Sequence, residues 1–231
     1  MREETVAILV DGAFYQRRAQ CCWGEREPGA RAEELERYCK SHLKYKVGDH
    51  YEYDTLYRIF YYDCPPATDS VFHPLYKKTI SLKATNVFRY NSQFQKELLR
   101  HRKFALRLGK LDTNNLHYLL TYDAQKRLLD GRVSFNMLTE KDFVLNIQQK
   151  GVDMRIGLDI SALAYKKLVT RIILISGDSD FVPAAKLARR EGIDFILDPM
   201  GMQGISDDLL EHIDGLRSKV KHDPLQNKAE R

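Results

Sequence analysis

Acidic residues follow two short apolar runs that lie far apart in the chain. The run at 172–175 leads into Asp178 and Asp180, and the run at 6–10 leads into Asp11. Carboxylate oxygens are hard ligands of the kind that Mg²⁺ and Mn²⁺ prefer. If the two runs are neighbouring strands, the sequence predicts a divalent cation site between their ends. The alternative for Asp11 is the N-cap of the helix that follows it.

Two further carboxylates are candidates for the same chemistry. Apolar residues recur with helical spacing after Gly151, and Asp153 lies in the first turn, where the free amides and the dipole favour negative charge. Asp159 lies about 120° further round that helix, so it cannot share a face with Asp153. Asp63 ends an aromatic run at 56–62 and could join the set. A turn-initiating aspartate before two prolines explains Asp63 equally well.

The elements that must position these residues are buried strands and helices. The runs at 6–10 and 172–175 are too short for buried helices and rich in branched residues, as central parallel strands are. Strand, helix and strand at 171–175, 181–190 and 194–197 predict a right-handed crossover. We therefore expect an α/β fold, with a three-layer parallel sheet flanked by helices. Its ligands should bind at the carboxyl edge of the sheet.

The middle of the chain has the least regular pattern. We predict a single domain over 1–220, with an elaborated insertion at 67–148 and a flexible tail at 221–231. Basic residues of this region, among them Lys77, Arg89 and Arg107, form either a polyanion groove or a solvated face. The elements expected after residue 67 are helices at 75–84, 93–103 and 206–219, a strand at 104–108, and strands or short helices at 116–120 and 133–138.

Composition limits the class of protein. The chain has 231 residues, of which 43% are hydrophobic, and a net charge of +5, which suits one soluble domain with a polyanionic partner. It has no apolar run of the length a membrane span needs and no leader pattern, so we expect a cytoplasmic protein that binds no membrane. Cys39 and His42 could bind zinc together with Cys21 or Cys22, although reduced thiols are the simpler expectation.

Three motifs together resemble a known family. They are Val-Asp-Gly at 10–12, Lys-Gly-Val-Asp at 150–153 and Ser-Gly-Asp-Ser-Asp-Phe-Val-Pro at 176–183. They are similar to the NYN domain of the PIN-like nuclease superfamily, in particular its LabA-like (DUF88) branch. The resemblance runs from about residue 6 to about residue 216. It implies a PIN-like, Rossmann-like fold and RNA cleavage.

The resemblance also implies roles for individual residues. Asp11, Asp153 and Asp178 take the metal-binding role, and Asp180 is a nearby fourth catalytic carboxylate. The chain departs from family members that carry Asp-x-x-Asn in the first motif, because Phe14 stands where the Asn would be. The residues expected to contact the substrate are Gly12, Ser176, Lys186 and Arg189.

The function expected from these residues is hydrolysis of an RNA phosphodiester by a water activated on Mg²⁺ or Mn²⁺. The substrate should be single-stranded RNA, and a homodimer is compatible with the sequence. One alternative is an RNA-binding or partner-binding module that has lost hydrolysis. Another is a phosphatase with Asp11 as nucleophile, but such enzymes usually carry Asp-x-Asp and residue 13 is alanine.

Overall fold

The chain alternates between strands and helices, as its hydrophobic pattern predicts. This computed structural model describes residues 4–220, so the tail predicted at 221–231 lies outside the described residues. The strands are β1 (Thr5–Asp11), β2 (Lys44–Val47), β3 (His50–Tyr53), β4 (Thr55–Asp63), β5 (Ser70–His73), β6 (Lys78–Ser81), β7 (Phe104–Leu108), β8 (Lys110–Leu120), β9 (Phe143–Lys150), β10 (Arg171–Ile175), β11 (Asp194–Asp198) and β12 (Gly215–Leu216). The helices are α1 (Gly12–Trp23), α2 (Pro28–Ser41), α3 (Asn86–Leu98), α4 (Tyr122–Leu129), α5 (Val152–Tyr165), α6 (Val182–Arg190) and α7 (Asp207–Glu211), with single 3-10 turns at Leu82–Ala84, Phe135–Met137, Glu140–Asp142 and Ser179–Phe181.

Six strands form one parallel sheet in the order β12-β11-β10-β1-β4-β7. The chain starts in the middle with β1, moves outward through β4 and β7, and then returns to the other side of β1 with β10. The strand order therefore reverses between β1 and β10, and open α/β sheets bind their ligands in the crevice at such a reversal. The predicted α/β class with a parallel sheet is confirmed.

Helices cover both faces of this sheet. Val6, Ile8 and Val10 of β1 are fully buried against the layer formed by α1, α2 and α3. Ala7 and Leu9 are fully buried against α5 and α6 on the other face. Each branched side chain buried in this way stabilises the fold by roughly 1.5 to 3 kcal/mol. No helix among residues 4–220 is long and apolar enough to cross a membrane.

The region predicted as an insertion at 67–148 contributes more to the core than expected. β7 pairs with β4 in the main sheet, and α3 packs against α2. What lies outside the three layers is the antiparallel hairpin β5–β6 and the long antiparallel pair β8–β9, which brackets α4. The helix predicted at 75–84 is wrong, because 78–81 pairs with β5 as β6. The division into one domain over 1–220 stays a prediction.

Two predicted helices have different bounds in the structure, one because of its N-cap and the other because of a contact with the sheet. α3 begins seven residues before the predicted start at 93, since the side chain of Thr85 caps it by accepting from the Phe88 amide. The helix predicted at 206–219 is wrong beyond Glu211. The Asp214 carboxylate accepts from the Phe195 amide at 2.9 Å, which draws the chain into the sheet as β12.

Gly12 is needed where α1 meets the end of β4. A Cβ at this position would lie 2.4 Å from the carbonyl oxygen of Tyr62 and 2.8 Å from the ring of Tyr61. The Tyr62 oxygen belongs to a core strand, so it cannot turn aside. We predict that Gly12→Ala lowers the free energy of unfolding by about 1 to 3 kcal/mol, measured by urea denaturation.

The matched control for this prediction is Gly29→Ala in α2, where a Cβ meets nothing within 4 Å. Alanine favours a helix over glycine, so this variant should be as stable as the parent or slightly more stable. A Gly12→Ala protein that unfolds at the parent's urea concentration would contradict the packing described here.

Candidate metal site at the sheet edge

Asp11 ends β1 and also caps α1. Its Oδ1 accepts from the Phe14 amide at 3.1 Å, and its Oδ2 accepts from the Ser176 hydroxyl at 3.2 Å. Burial raises the pKa of the Asp11 carboxyl, and the negative charge of Asp178 raises it further. The two hydrogen bonds and the positive charge of Arg17 oppose that shift in pKa. One residue therefore fulfils both the N-cap and the sheet-edge interpretations.

Ser176 joins the ends of β1 and β10. Its side chain is fully buried, and its Oγ accepts from the Asp178 amide at 3.3 Å while donating to Asp11. Asp178 in turn accepts from the Asp180 amide at 3.0 Å and caps the 3-10 turn that follows. The buried Ser176 hydroxyl therefore links Asp11 to the backbone of Asp178, and its contact with a substrate stays a prediction. Gly12 is likewise buried and lies against Tyr61.

Asp153 brings a third element to the same edge. Gly151 adopts a left-handed conformation with φ of 76°, which turns the chain from β9 into α5 and places Asp153 in the first helical turn. Burial raises the pKa of the Asp153 carboxyl, and the charges of Asp11, Asp178 and Asp180 raise it further. Four carboxylates therefore influence one another at the crevice between β1 and β10.

These carboxylates surround a space that is wider than a closed metal cage. Within residues 4–220, the one set of three ligand atoms that all lie within 4.8 Å of one another belongs to Asp208, Glu211 and His212, on α7 and just after it. Mg²⁺ usually keeps several of its waters, so carboxylates at a wider spacing are compatible with it. The donor set is entirely hard oxygen, and the raised pKa values of Asp11 and Asp153 reflect crowded negative charge that a divalent cation would neutralise. The residues fit such an ion.

Arg189, one of the two basic residues predicted to contact the substrate, lies away from this edge. Arg189 is in the last turn of α6, about 10 Å along the helix from its start. Its Nε donates to Asp214 Oδ1 at 2.8 Å, and its Nη1 donates to the Glu211 carbonyl at 3.1 Å. The Nζ of Lys186 lies 4.0 Å from Asp208. α6 runs away from the carboxyl edge, so its last turn carries Arg189 towards the opposite edge.

Arg17 is the basic residue that sequence reasoning missed. It lies on α1 with an exposed side chain, close enough to Asp11 that its positive charge lowers the pKa of that carboxyl. The available signal was its position in the second turn of a helix that Asp11 was expected to cap. A cation beside the carboxylates can hold a phosphate there.

Phe14 belongs to the core. The side chain is 6% exposed, and a Cβ built on Gly177 would lie 3.0 Å from its Cε2 and 2.2 Å from the Cε of Met202. Phe14 and Met202 thus close over the glycine that precedes Asp178. Phe14 therefore supports the turn and does not offer a polar atom to the crevice.

Two other acidic residues have structural partners. Asp159 Oδ2 accepts from the Tyr62 hydroxyl at 2.8 Å and from Arg107 Nε at 2.9 Å. Asp63 accepts from Gln95 Nε2 at 3.1 Å, from the amide that follows it, and from the β9 side chain of Gln149. Neither contributes to the charges that raise the pKa of Asp153.

A buried polar cluster lies at the end of β11. Asp198 Oδ2 accepts from the Tyr38 hydroxyl at 2.5 Å and lies 2.7 Å from His42 Nε2, while Oδ1 accepts from the Met200 amide at 2.7 Å. Arg18 Nη2 donates to the Met200 carbonyl at 2.8 Å, so the loop that carries Met202 is held from both sides. His42 is engaged here, and the zinc site proposed for it does not form among the described residues.

Comparison with known proteins identifies a family. The family model for the NYN domain matches residues 5–215. A crystal structure of a protein of unknown function from Vibrio parahaemolyticus is 15% identical and has a TM-score of 0.47, with 96% of this chain and 98% of that chain covered. No curated protein matches this chain.

Proposed function

This chain belongs to the NYN domain family, and from that premise we propose that it is a metal-dependent endoribonuclease of the LabA-like (DUF88) branch. The NYN domain is part of the PIN-like nuclease superfamily, whose members generally use divalent metal ions. The proposed reaction is hydrolysis of a phosphodiester bond in single-stranded RNA. A cytoplasmic location and a homodimer remain predictions.

One observation carries the proposal. Asp153 lies close enough to Asp11, Asp178 and Asp180, at the crevice where the strand order reverses, that their charges add to the effect of burial in raising its pKa. Asp11, Asp153 and Asp178 would hold Mg²⁺ or Mn²⁺, with Asp180 beside them. Such an ion, when bound, activates water and stabilises the charge that develops on the phosphoryl group.

The other residues at the edge orient these carboxylates and the RNA. Ser176 fixes the Asp11 carboxylate through its hydroxyl, and the same hydroxyl accepts from the amide of Asp178. Arg17 is the basic residue that we propose for the phosphate next to the bond that is cleaved, because it is exposed and lies near Asp11. Lys186 and Arg189 remain candidates for RNA contacts further from the site.

A binding module without hydrolysis is the second candidate. It is favoured by Phe14, which puts a buried ring at the position where those family members with Asp-x-x-Asn in the first motif carry an amide. Such a module would bind RNA in a salt-dependent manner and show no turnover with Mg²⁺ or Mn²⁺.

Metal binding can be tested without any activity. We predict that Mn²⁺ stabilises the parent protein and that Asp153→Asn loses most of this stabilisation. An ion that binds only the folded state adds about 2.7 kcal/mol at a hundredfold excess over its Kd. Thermal unfolding with and without Mn²⁺ measures the effect. Asp49→Asn, an exposed carboxylate in the β2–β3 turn, is the control and should keep the full shift.

Without metal, Asp153→Asn should raise the stability of the protein instead of lowering it. The folded pKa of Asp153 is raised, first by burial and then by the neighbouring carboxylates, so the folded chain binds more protons than the unfolded chain between the ordinary aspartate pKa of about 3.9 and the raised pKa of the folded state. The free energy of unfolding therefore falls as the pH rises through this interval, and the loss is complete above the raised pKa. Asp153→Asn should be more stable than the parent at neutral pH and equal to it in acid. Equal Mn²⁺ stabilisation of both proteins would exclude Asp153 as a ligand.

A further inference from the structure

A cavity opens near the carboxylate site. It has a volume of about 400 Å³ and lies between the end of β4, the start of α3 and the β8–β9 pair. Apolar side chains form most of its wall, including those of Val87, Phe88, Leu111, Leu145 and Ile147. The volume and the apolar lining are typical of pockets that bind one small organic group.

One half-buried acidic side chain contributes to the polar part of this wall. Asp63 Oδ1 accepts from the Cys64 amide at 2.7 Å and from Gln149 Nε2 at 3.3 Å, and its Oδ2 accepts from Gln95 Nε2 at 3.1 Å. A carboxylate offers about four acceptor positions. The Cys64 amide and the Gln149 and Gln95 side chains occupy three of these positions. About one position, on Oδ2, is left for a ligand that carries an N–H donor.

The cavity is close to the proposed cleavage site. Tyr62 pairs with Asp11 across neighbouring strands, and Asp63 is the next residue, so the Asp63 and Asp11 Cα atoms are within about 9 Å. On the other side, Gln149 precedes Asp153 by four residues, a span of at most about 14 Å. A base attached to a nucleotide next to a phosphodiester at the carboxylates can reach the cavity.

We propose that this cavity is a base pocket that accepts an amino-bearing nucleobase next to the cleaved bond and disfavours uracil. The proposal rests on the proposed function. Proteins that read single-stranded RNA place unstacked bases against aromatic side chains and bind their Watson–Crick edges. Here the rings of Phe88 and Tyr118 line the cavity. The exocyclic amino group of adenine, cytosine or guanine can donate to Asp63.

Uracil fits this arrangement less well. It offers a carbonyl oxygen where cytosine has its amino group, and its one donor on that edge, N3–H, lies between two carbonyl oxygens that the negative Asp63 carboxylate repels. A hydrogen bond to a charged group is worth about 1.5 to 3 kcal/mol, which corresponds to a preference of about tenfold or more.

The test compares short homopolymeric RNAs of adenosine, cytidine and uridine. Cleavage rates are measured with the parent protein and Mn²⁺. RNA affinities are measured with the Asp178→Asn protein by fluorescence anisotropy. We expect the adenosine and cytidine polymers to be preferred about tenfold over the uridine polymer in both measurements.

Asp63→Asn removes the pure acceptor and should abolish the preference. Val87→Trp should also abolish it, because Val87 lines the cavity and a larger side chain there would narrow it while the Asp63 carboxylate is retained.

Asp69→Asn is the matched control, since this exposed carboxylate lies outside the cavity and should leave the preference unchanged. Cleavage that is equal for the three polymers and unaltered in Val87→Trp would overturn the base pocket and leave the nuclease intact. Selective binding by the parent chain without cleavage would support the pocket and overturn the proposed hydrolysis. Absence of binding to all three RNAs would overturn both.

Discussion

Asp178→Asn should lower the rate of RNA cleavage by about a thousandfold or more, which is about 4 kcal/mol of transition-state stabilisation. The substitution removes one negative charge from the carboxylates that are proposed to hold the cation. Asparagine keeps the size of the side chain and the Oδ1 that accepts from the Asp180 amide at 3.0 Å. It is also as good an N-cap as aspartate, so the turn and the fold should be preserved.

The measurement is cleavage of single-stranded and structured RNAs with Mg²⁺ or Mn²⁺, together with RNA affinity at several salt concentrations. RNA affinity should be unchanged or stronger in the variant, because a negative charge near the phosphates is removed. Asp49→Asn is again the control for charge loss and should cleave at the parent's rate. If Asp178→Asn also cleaves at that rate, the activity comes from another site or from a contaminant. A parent protein that binds RNA but cleaves none of these substrates would favour the binding module.

Asp198→Ala should lower the free energy of unfolding by about 3 to 5 kcal/mol. The substitution leaves the Tyr38 hydroxyl, His42 Nε2 and the Met200 amide without their shared acceptor, in a place where the His42 and Asp198 side chains are fully buried. Buried polar groups without partners carry their full desolvation cost. Chemical denaturation at neutral pH measures the change.

The matched control for Asp198 lies at the other end of the same strand. Asp194 pairs with Arg171, and its side chain is 35% exposed. Partly exposed ion pairs contribute little, so Asp194→Ala should cost about 1 kcal/mol or less. If the two variants lost a similar free energy of unfolding, this result would contradict the central role given to the buried cluster. The Asp198 variant should also lose activity, because the loop it anchors packs Met202 against Gly177 beside Asp178.

The central strands and their acidic ends could be predicted from the sequence because local signals agree there. The runs at 6–10 and 172–175 are uninterrupted and apolar, and parallel strands place their following residues at one edge. β12 could not be predicted in this way. Its two residues join the sheet only because Asp214 binds the Phe195 amide, a contact between residues 19 positions apart.

Side-chain surroundings were harder to predict than element positions. Ser176 stands in the most recognisable motif, yet it is buried between two strand ends, and only the pairing of β1 with β10 reveals this. The placement of Arg189 was open to prediction, since a helix that starts at the carboxyl edge must carry its last turn away from it. Asp63 was grouped with the other sheet-edge carboxylates, but its hydrogen bonds to Gln95 and Gln149 turn it towards the neighbouring cavity.

The strand order also has a consequence for biosynthesis. Asp11 is synthesised 165 residues before Ser176, whose hydroxyl orients it. Until β10 has been made, β1 can pair only with β4 in the main sheet. The set of four aspartates then still lacks Asp178. A nascent chain on the ribosome therefore lacks the complete proposed metal site until most of the domain has emerged, and the proposed RNA cleavage cannot begin before then.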